Sequence, residues 1–206
     1  YKLDSEILLS KVLGQTREEI LANLKKSIPL KKISKFKKLL KRRLSKEPIA
    51  YILREKEFWS KVFEVNKNTL IPRPETELMV DQLAKVYKEK KAFILDIGTG
   101  TGCILISLLS EIKNSKGIGI DISKKALQVA NRNAIRHNMT NRIKFLKRSF
   151  SELFNCKFDL IVSNPPYIRK NEMMSLEDDI KRFEPKIALD GGNDGLDVIK
   201  KVIYKA

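Results

Sequence analysis

The chain has 206 residues, a formal charge of +17 and 42% hydrophobic residues, which suits one ordinary packed domain with a small appendage at most. No apolar run reaches the ~18 residues of a membrane span and no signal-peptide pattern opens it, so the expectation is a cytoplasmic protein, neither spanning a membrane nor secreted. Cys103 and Cys156 are isolated and suit reduced thiols better than a disulfide, and His137 stands alone, leaving no metal site in the pattern.

Short helices are expected over 1–47. Ile7, Leu8, Val12 and Leu13 form one apolar face, and Gly14 suits a helix C-cap. Thr16-Arg17-Glu18-Glu19 has the form of a capping box ahead of Ile20, Leu21 and Leu24. After Pro29 a third helix carries Ile33, Phe36, Leu40 and Leu44 on one side. Between Lys25 and Lys46 there are many lysines and arginines and no acid. Such a run is either a solvated helix face or a docking face for an anionic partner such as ribosomal RNA or another acidic surface. Residues 48–74 change character. Glu57-Phe58-Trp59 and Val62-Phe63-Glu64-Val65 predict a β-hairpin turning near Ser60-Lys61. Pro74 is placed at the start of a helix whose first turn holds Glu75 and Glu77, with Leu78, Leu83 and Val86 facing inward.

Over 75–206 the pattern alternates strand and helix, the mark of an α/β doubly wound, mostly parallel sheet. Strands are predicted at 93–96, 117–121, 143–146 and 158–163, with helices after Gly102, after Ser123 as N-cap and after Asp197. The first strand ends in Asp96-Ile97-Gly98-Thr99-Gly100-Thr101-Gly102. Glycines there permit a tight turn and close approach of a ligand to the backbone. Position 103 is Cys, so the dinucleotide fingerprint fails and the loop suits an adenosyl ligand without a pyrophosphate. Asp121 ends the next strand, where a carboxylate accepts from ribose hydroxyls.

The fourth strand stops on Ser163-Asn164-Pro165-Pro166-Tyr167. Residues before proline are driven to extended backbone, so Asn164 and Pro165 stand out rigidly from the sheet edge. The Asn164 side-chain carbonyl and the Pro165 backbone carbonyl are fixed acceptors that can take both hydrogens of a planar –NH2 group, with Tyr167 placed to cover its face. A simple strand-ending turn is the other reading of Asn-Pro, and the glycine loop upstream weighs against it.

With these residues in view, Asp96–Gly102, Asp121 and Asn164–Tyr167 resemble the class I S-adenosylmethionine-dependent methyltransferases that act on planar nitrogens. More narrowly, Glu47-Pro48-Ile49-Ala50-Tyr51, Glu57-Phe58-Trp59, Ile71-Pro72-Arg73-Pro74-Glu75-Thr76-Glu77, Phe183-Glu184-Pro185 and Ala188-Leu189 are similar to the HemK/PrmC family of peptide chain release factor glutamine methyltransferases. The resemblance implies a Rossmann-like methyltransferase domain behind a small N-terminal helical domain that contacts the release factor. It implies S-adenosylmethionine as cofactor, held by Asp96, Gly98, Thr99, Gly100, Thr101, Gly102 and Asp121, with Phe150 near the adenine and Asn164 beside the methyl. It implies Asn164, Pro165, Pro166 and Tyr167 as the glutamine-binding set, with Asn164, Pro165 and Tyr167 serving catalysis. Ser149 stands where relatives often carry Asp or another polar residue for the adenine edge, and Arg54 replaces a usual glycine. The family continues past a segment like Gly195-Leu196-Asp197 to two further strands, so the C-terminal strands are expected to be missing and the chain to be a fragment. A nucleic-acid amino-methyltransferase and a non-catalytic ribonucleoprotein-binding module are the alternative readings, separable by cofactor binding and by substrate.

Overall fold

In the computed structural model, which describes residues 2–23, 26–152 and 157–205, the chain begins with helices. Leu24, Cys156 and the terminal Tyr1 and Ala206 lie outside the described residues. Helix α1 (Lys2–Leu13) buries Leu8 and Val12, and Gly14 leaves it with φ 73°. Helix α2 (Arg17–Ala22) starts on a complete capping box: the Thr16 hydroxyl accepts from Glu19 N, and the Glu19 carboxylate accepts from Thr16 N. Helix α3 (Leu30–Leu44) follows Pro29 and buries no residue fully. Leu44, expected on its apolar side, is exposed, because the chain turns away at Ser45 before anything covers it. Among the described residues of this part, Leu8, Val12 and Ile20 are the buried apolar ones. At ~2 kcal/mol each they contribute too little to order it alone. It leans on the next element, helix α4 (Ile49–Leu53), which buries Ala50, Tyr51 and Ile52.

Strands β1 (Glu55–Phe58) and β2 (Lys61–Glu64) form the expected hairpin, but Trp59 belongs to its turn, not to the strand. Trp59 and Ser60 both take φ 52°, a turn normally given to Asn and Gly. The strain is held from outside: Glu77 Oε1 accepts from Trp59 N at 2.9 Å, and Glu111 Oε1 from the indole Nε1 at 2.9 Å. Helix α5 (Thr76–Tyr87) begins two residues after Pro74, which lies in the preceding turn. It faces inward with Val80, Met79, Leu83 and Tyr87, while Leu78 and Val86 are exposed, contrary to expectation. Leu83 faces inward as expected, and the stripe runs through Met79, Val80, Leu83 and Tyr87.

The parallel sheet comprises β3 (Phe93–Ile97), β4 (Lys116–Asp121), β5 (Ile143–Lys147) and β6 (Leu160–Ser163), in the order β5-β4-β3-β6. Helix α6 (Cys103–Glu111) is apolar nearly all round and buried accordingly, packed with α5 and α7 (Lys124–Arg136) on one face. Helix α9 (Asp197–Lys205) covers the other face through Val198 and Val202, and α8 (Asp178–Phe183) lies in the connection before it. Ser123 caps α7 as expected, its hydroxyl accepting from Ala126 N.

Close packing at β4 depends on small residues. A Cβ on Gly119 would lie 2.6 Å from the Phe145 ring and 2.8 Å from Thr99 Oγ1. Gly119→Ala is therefore expected to cost about 1–3 kcal/mol, lowering the thermal unfolding midpoint by about 3–10 °C. Calorimetry checks this.

Candidate active site

The site lies where the strand order changes direction. Succession runs from β3 to β4 and β5 on one side, whereas β6 pairs with β3 on the other, and this divergence opens a crevice at the strands' carboxyl ends. Register brings the motifs together. Ile97 stands opposite Ser163 on one side and Ile120 on the other, so Gly98, Asn164 and Asp121 leave three adjacent strands at one level. The Ser163 hydroxyl donates to Ile97 O at 2.8 Å and locks the two strand ends together.

Beyond these ends is a cavity of about 420 Å³. Its floor is Gly98–Thr101, with Ile120, Asp121, Ile122 and Phe150 on one side and Asn164, Pro165 and Pro166 on the other. Gly98 and Gly100 have positive φ, and a Cβ on Gly98 would meet nothing within 4 Å, so this backbone is bare toward the cavity. Asp121 braces the loop: Oδ2 accepts from Gly100 N at 3.0 Å and Oδ1 from Ser123 N at 2.8 Å. Burial raises its carboxyl above the usual range, against the pull of those amides. The apolar walls, the bare glycine backbone and the Asp121 carboxylate fit an adenosyl group, and Asp190 also lines the cavity.

Asn164 donates through Nδ2 to Thr76 Oγ1 at 3.4 Å, which turns its Oδ1 away from that hydroxyl. Among the described residues no donor engages Asn164 Oδ1 or the Pro165 carbonyl. Both residues line the cavity, so two acceptors without a donor among the described residues belong to its wall. Asn164 and Pro165 also line a smaller adjoining cavity of about 150 Å³, and Tyr167, which is 60% exposed, lines that one instead of the larger.

Two further expected residues stand behind the cavity wall. Gly102 starts α6 with φ 78°, and a Cβ there would press on Phe145 at 3.0 Å. Asp96 is fully buried beneath the loop, its Oδ2 accepting from the Thr99 hydroxyl at 2.7 Å while Oδ1 has no partner among the described residues. Burial pushes its carboxyl up to about 7, with Thr99 opposing and the Asp121 charge adding. The folded protein then holds this proton more tightly than the unfolded chain, where Asp titrates near about 3.9. Asp96 consequently removes stability as pH rises from about 4 to about 7, on the order of a few kcal/mol in all. Asp96→Asn is expected to abolish that slope. Thermal midpoints of both proteins from pH 4 to 8 check it, the wild type losing ground to the variant across the window and no further above it.

Some residues of the site carried no signal of their own. Asn133, wholly buried on α7, accepts from Glu64 N at 2.7 Å and donates to Thr101 O at 2.9 Å, so the hairpin is tied to the glycine loop. An Asn in an otherwise apolar helix stripe was the available clue. Pro72, Arg73, Thr76 and Ala188 line the larger cavity and are marked in the sequence only by the resemblance, whereas Lys186 and Ile187, which line it too, carry no mark. Cys103 also reaches the cavity, but burial pushes its thiol up to about 12 and leaves no thiolate nucleophile near neutral pH.

Comparison with known proteins agrees with this geometry. Residues 88–187 match the family model of a methyltransferase domain, and residues 1–53 match that of the PrmC N-terminal domain. The chain resembles in fold the hMettl16 catalytic domain in complex with a MAT2A 3'UTR hairpin, at TM-score 0.56 and 17% identity over 69% of this chain and 55% of that one. Release factor glutamine methyltransferase of Caulobacter vibrioides is 41% identical over 94% of this chain and 68% of its own length. The protein of the same name from Bradyrhizobium diazoefficiens is 38% identical over 100% of this chain and 70% of its own. Likeness at this level, running through the helical part, the glycine loop and the Asn-Pro-Pro-Tyr corner together, means that the chain belongs to the release factor glutamine methyltransferase family.

Proposed function

We propose that this protein transfers a methyl group from S-adenosylmethionine to the side-chain amide nitrogen of the glutamine in the Gly-Gly-Gln segment of a peptide chain release factor. The observation that carries the reading is the pair of uncommitted acceptors, Asn164 Oδ1 and the Pro165 carbonyl, at the edge of the glycine-floored cavity.

S-adenosylmethionine, when bound, supplies an electrophilic methyl on a positively charged sulfur. In this reading Gly98, Thr99, Gly100 and Thr101 hold it with backbone, Asp121 accepts from its ribose hydroxyls and Phe150 packs near its adenine. Asp96 and Gly102 support the loop from behind. An amide nitrogen is a poor nucleophile because its lone pair is shared with the carbonyl. Asn164 and Pro165 accept its two N–H hydrogens, raise electron density on nitrogen and aim its face into the larger cavity. Pro166 keeps that corner stiff, and Tyr167 flanks the entry from the smaller cavity. Positioning and fixed dipoles of this kind contribute on the order of several kcal/mol. No strong base is needed beforehand, since the nitrogen becomes acidic only as its new bond forms.

The N-terminal helices over 1–47, followed by the hairpin segment over 48–74, form the docking part for the release factor in this proposal, and the basic face of α3 suits an acidic surface on it. Among the described residues no helix is long and apolar enough to cross a membrane. A cytoplasmic setting, where release factors work, belongs to the same proposal. The test is incubation with methyl-labelled cofactor and, separately, a release factor and duplex DNA. Label on the release factor supports the reading, and label on DNA adenine alone overturns it.

A further inference from the structure

The Glu184 side chain is 1% exposed, although it sits in the connection that follows α8. Removing a carboxylate from water costs several kcal/mol, and well-packed apolar side chains often stabilise such a position as well. Its contacts show what the acid holds. Oε1 accepts from Arg73 Nη2 at 2.7 Å, and Oε2 accepts from Ile71 N at 3.1 Å. Both partners lie on the strap 69–76, more than a hundred residues earlier in the chain.

That strap is fastened again at its start. The Tyr51 hydroxyl on α4 donates to Thr69 O at 2.6 Å, and burial together with the Glu184 charge raises its pKa, so it stays a donor. Ala50, Tyr51, Val65 and Ile71 form one buried cluster with Phe183 packed against it. Downstream, the strap delivers Thr76 to Asn164 and places Arg73 where the two cavities meet, beside Asn164 and Pro165. Arg73 is 30% exposed there, one of its nitrogens held by Glu184.

We infer that Glu184 is a positioning residue for the transfer: it fixes strap 69–76, and with it Arg73 and Thr76, on the acceptor side of Asn164, and it joins the N-terminal helices to that side through the cluster around Tyr51. The inference rests on the glutamine-transfer reading for its kinetic arm only. Glu184→Gln keeps the volume, removes the charge that holds Arg73 and offers one acceptor where there were two.

The test compares wild type and Glu184→Gln for cofactor affinity and stoichiometry by calorimetry, and for kcat per cofactor-binding site on a release factor. A positioning role gives a kcat at least tenfold lower, with cofactor affinity within threefold and full stoichiometry. A merely structural role lowers the fraction that binds cofactor and leaves kcat per site unchanged, which overturns the inference. Hydrogen exchange needs no substrate. Amides of 69–76 should exchange at least tenfold faster in the variant while those of 94–105 stay as in wild type, and unchanged exchange in 69–76 overturns the pinning. If Glu184→Gln does not accumulate folded, Arg73→Lys, which keeps the charge but loses the planar fork, carries the same comparison. Its kcat should fall at least tenfold, and a wild-type value overturns the inference. Failure of the wild type to methylate a release factor refutes the substrate reading alone, and the exchange arm still decides whether Glu184 pins strap 69–76.

Discussion

Asn164→Ala is expected to lower methyl transfer by at least about 10²-fold, the scale seen when one preorganised polar partner is removed from a transition state. The side chain does two things that alanine cannot. It offers Oδ1 to an amide hydrogen, and it fixes that oxygen's direction through Nδ2 on Thr76. The Pro165 carbonyl remains in the variant, so a substrate amide would still be held by one hydrogen, but free to swing about that contact. Loss of aim costs more here than loss of one hydrogen bond, because an amide nitrogen can react only along the normal to its plane. Cofactor affinity should change little, since the loop and Asp121 are braced independently of Asn164. Single-turnover kinetics at saturating cofactor measures the first effect, and calorimetry the second. A variant that turns over at the wild-type rate removes the acceptor model.

Asp121→Ala should show the opposite signature, with cofactor affinity falling by about 10–100-fold, the equivalent of about one charge-assisted hydrogen bond. In the proposed reading the carboxylate receives ribose hydroxyls, and in the structure it accepts from Gly100 N and Ser123 N. Alanine therefore removes a ligand contact and unties the glycine loop from the start of α7. Asp121→Asn separates the two contributions. One amide oxygen can still brace Gly100, so its loss should be the smaller if loop bracing dominates, and equal if the charge toward the ribose dominates. Titration calorimetry on the three proteins reads this directly. An Asp121→Ala variant binding as tightly as wild type would contradict the role.

Much of this was legible in the sequence because local chemistry and tertiary structure agree there. Asp96–Gly102, Asp121 and Asn164–Pro166 each lie at the carboxyl end of a strand, and a parallel sheet necessarily gathers such ends on one edge. Thr16 and Ser123 cap helices as their side chains dictate. The errors have a common origin in tertiary contacts that override local pattern. Nothing local marks Trp59 as a turn residue, since its turn carries no Gly or Asn and is held by Glu77 and Glu111, distant in sequence. Leu78 and Val86 looked like an inward stripe until α6 fixed Val80 as the inward position. Glu184 had no derivable role, since its partners lie at Ile71 and Arg73 and nothing local marks an acid as buried.

The central claim is that two fixed acceptors present a flat –NH2 to the glycine-floored cavity. Mass spectrometry of a release factor after exhaustive incubation with cofactor, using wild type and Asn164→Ala side by side, tests it most directly. The account predicts a single added methyl on the Gly-Gly-Gln glutamine with wild type, because the product keeps only one N–H for two acceptors, and no methyl with the variant although it still binds cofactor. A glutamine methylated equally by both proteins, or a methyl found only on other residues, would contradict it.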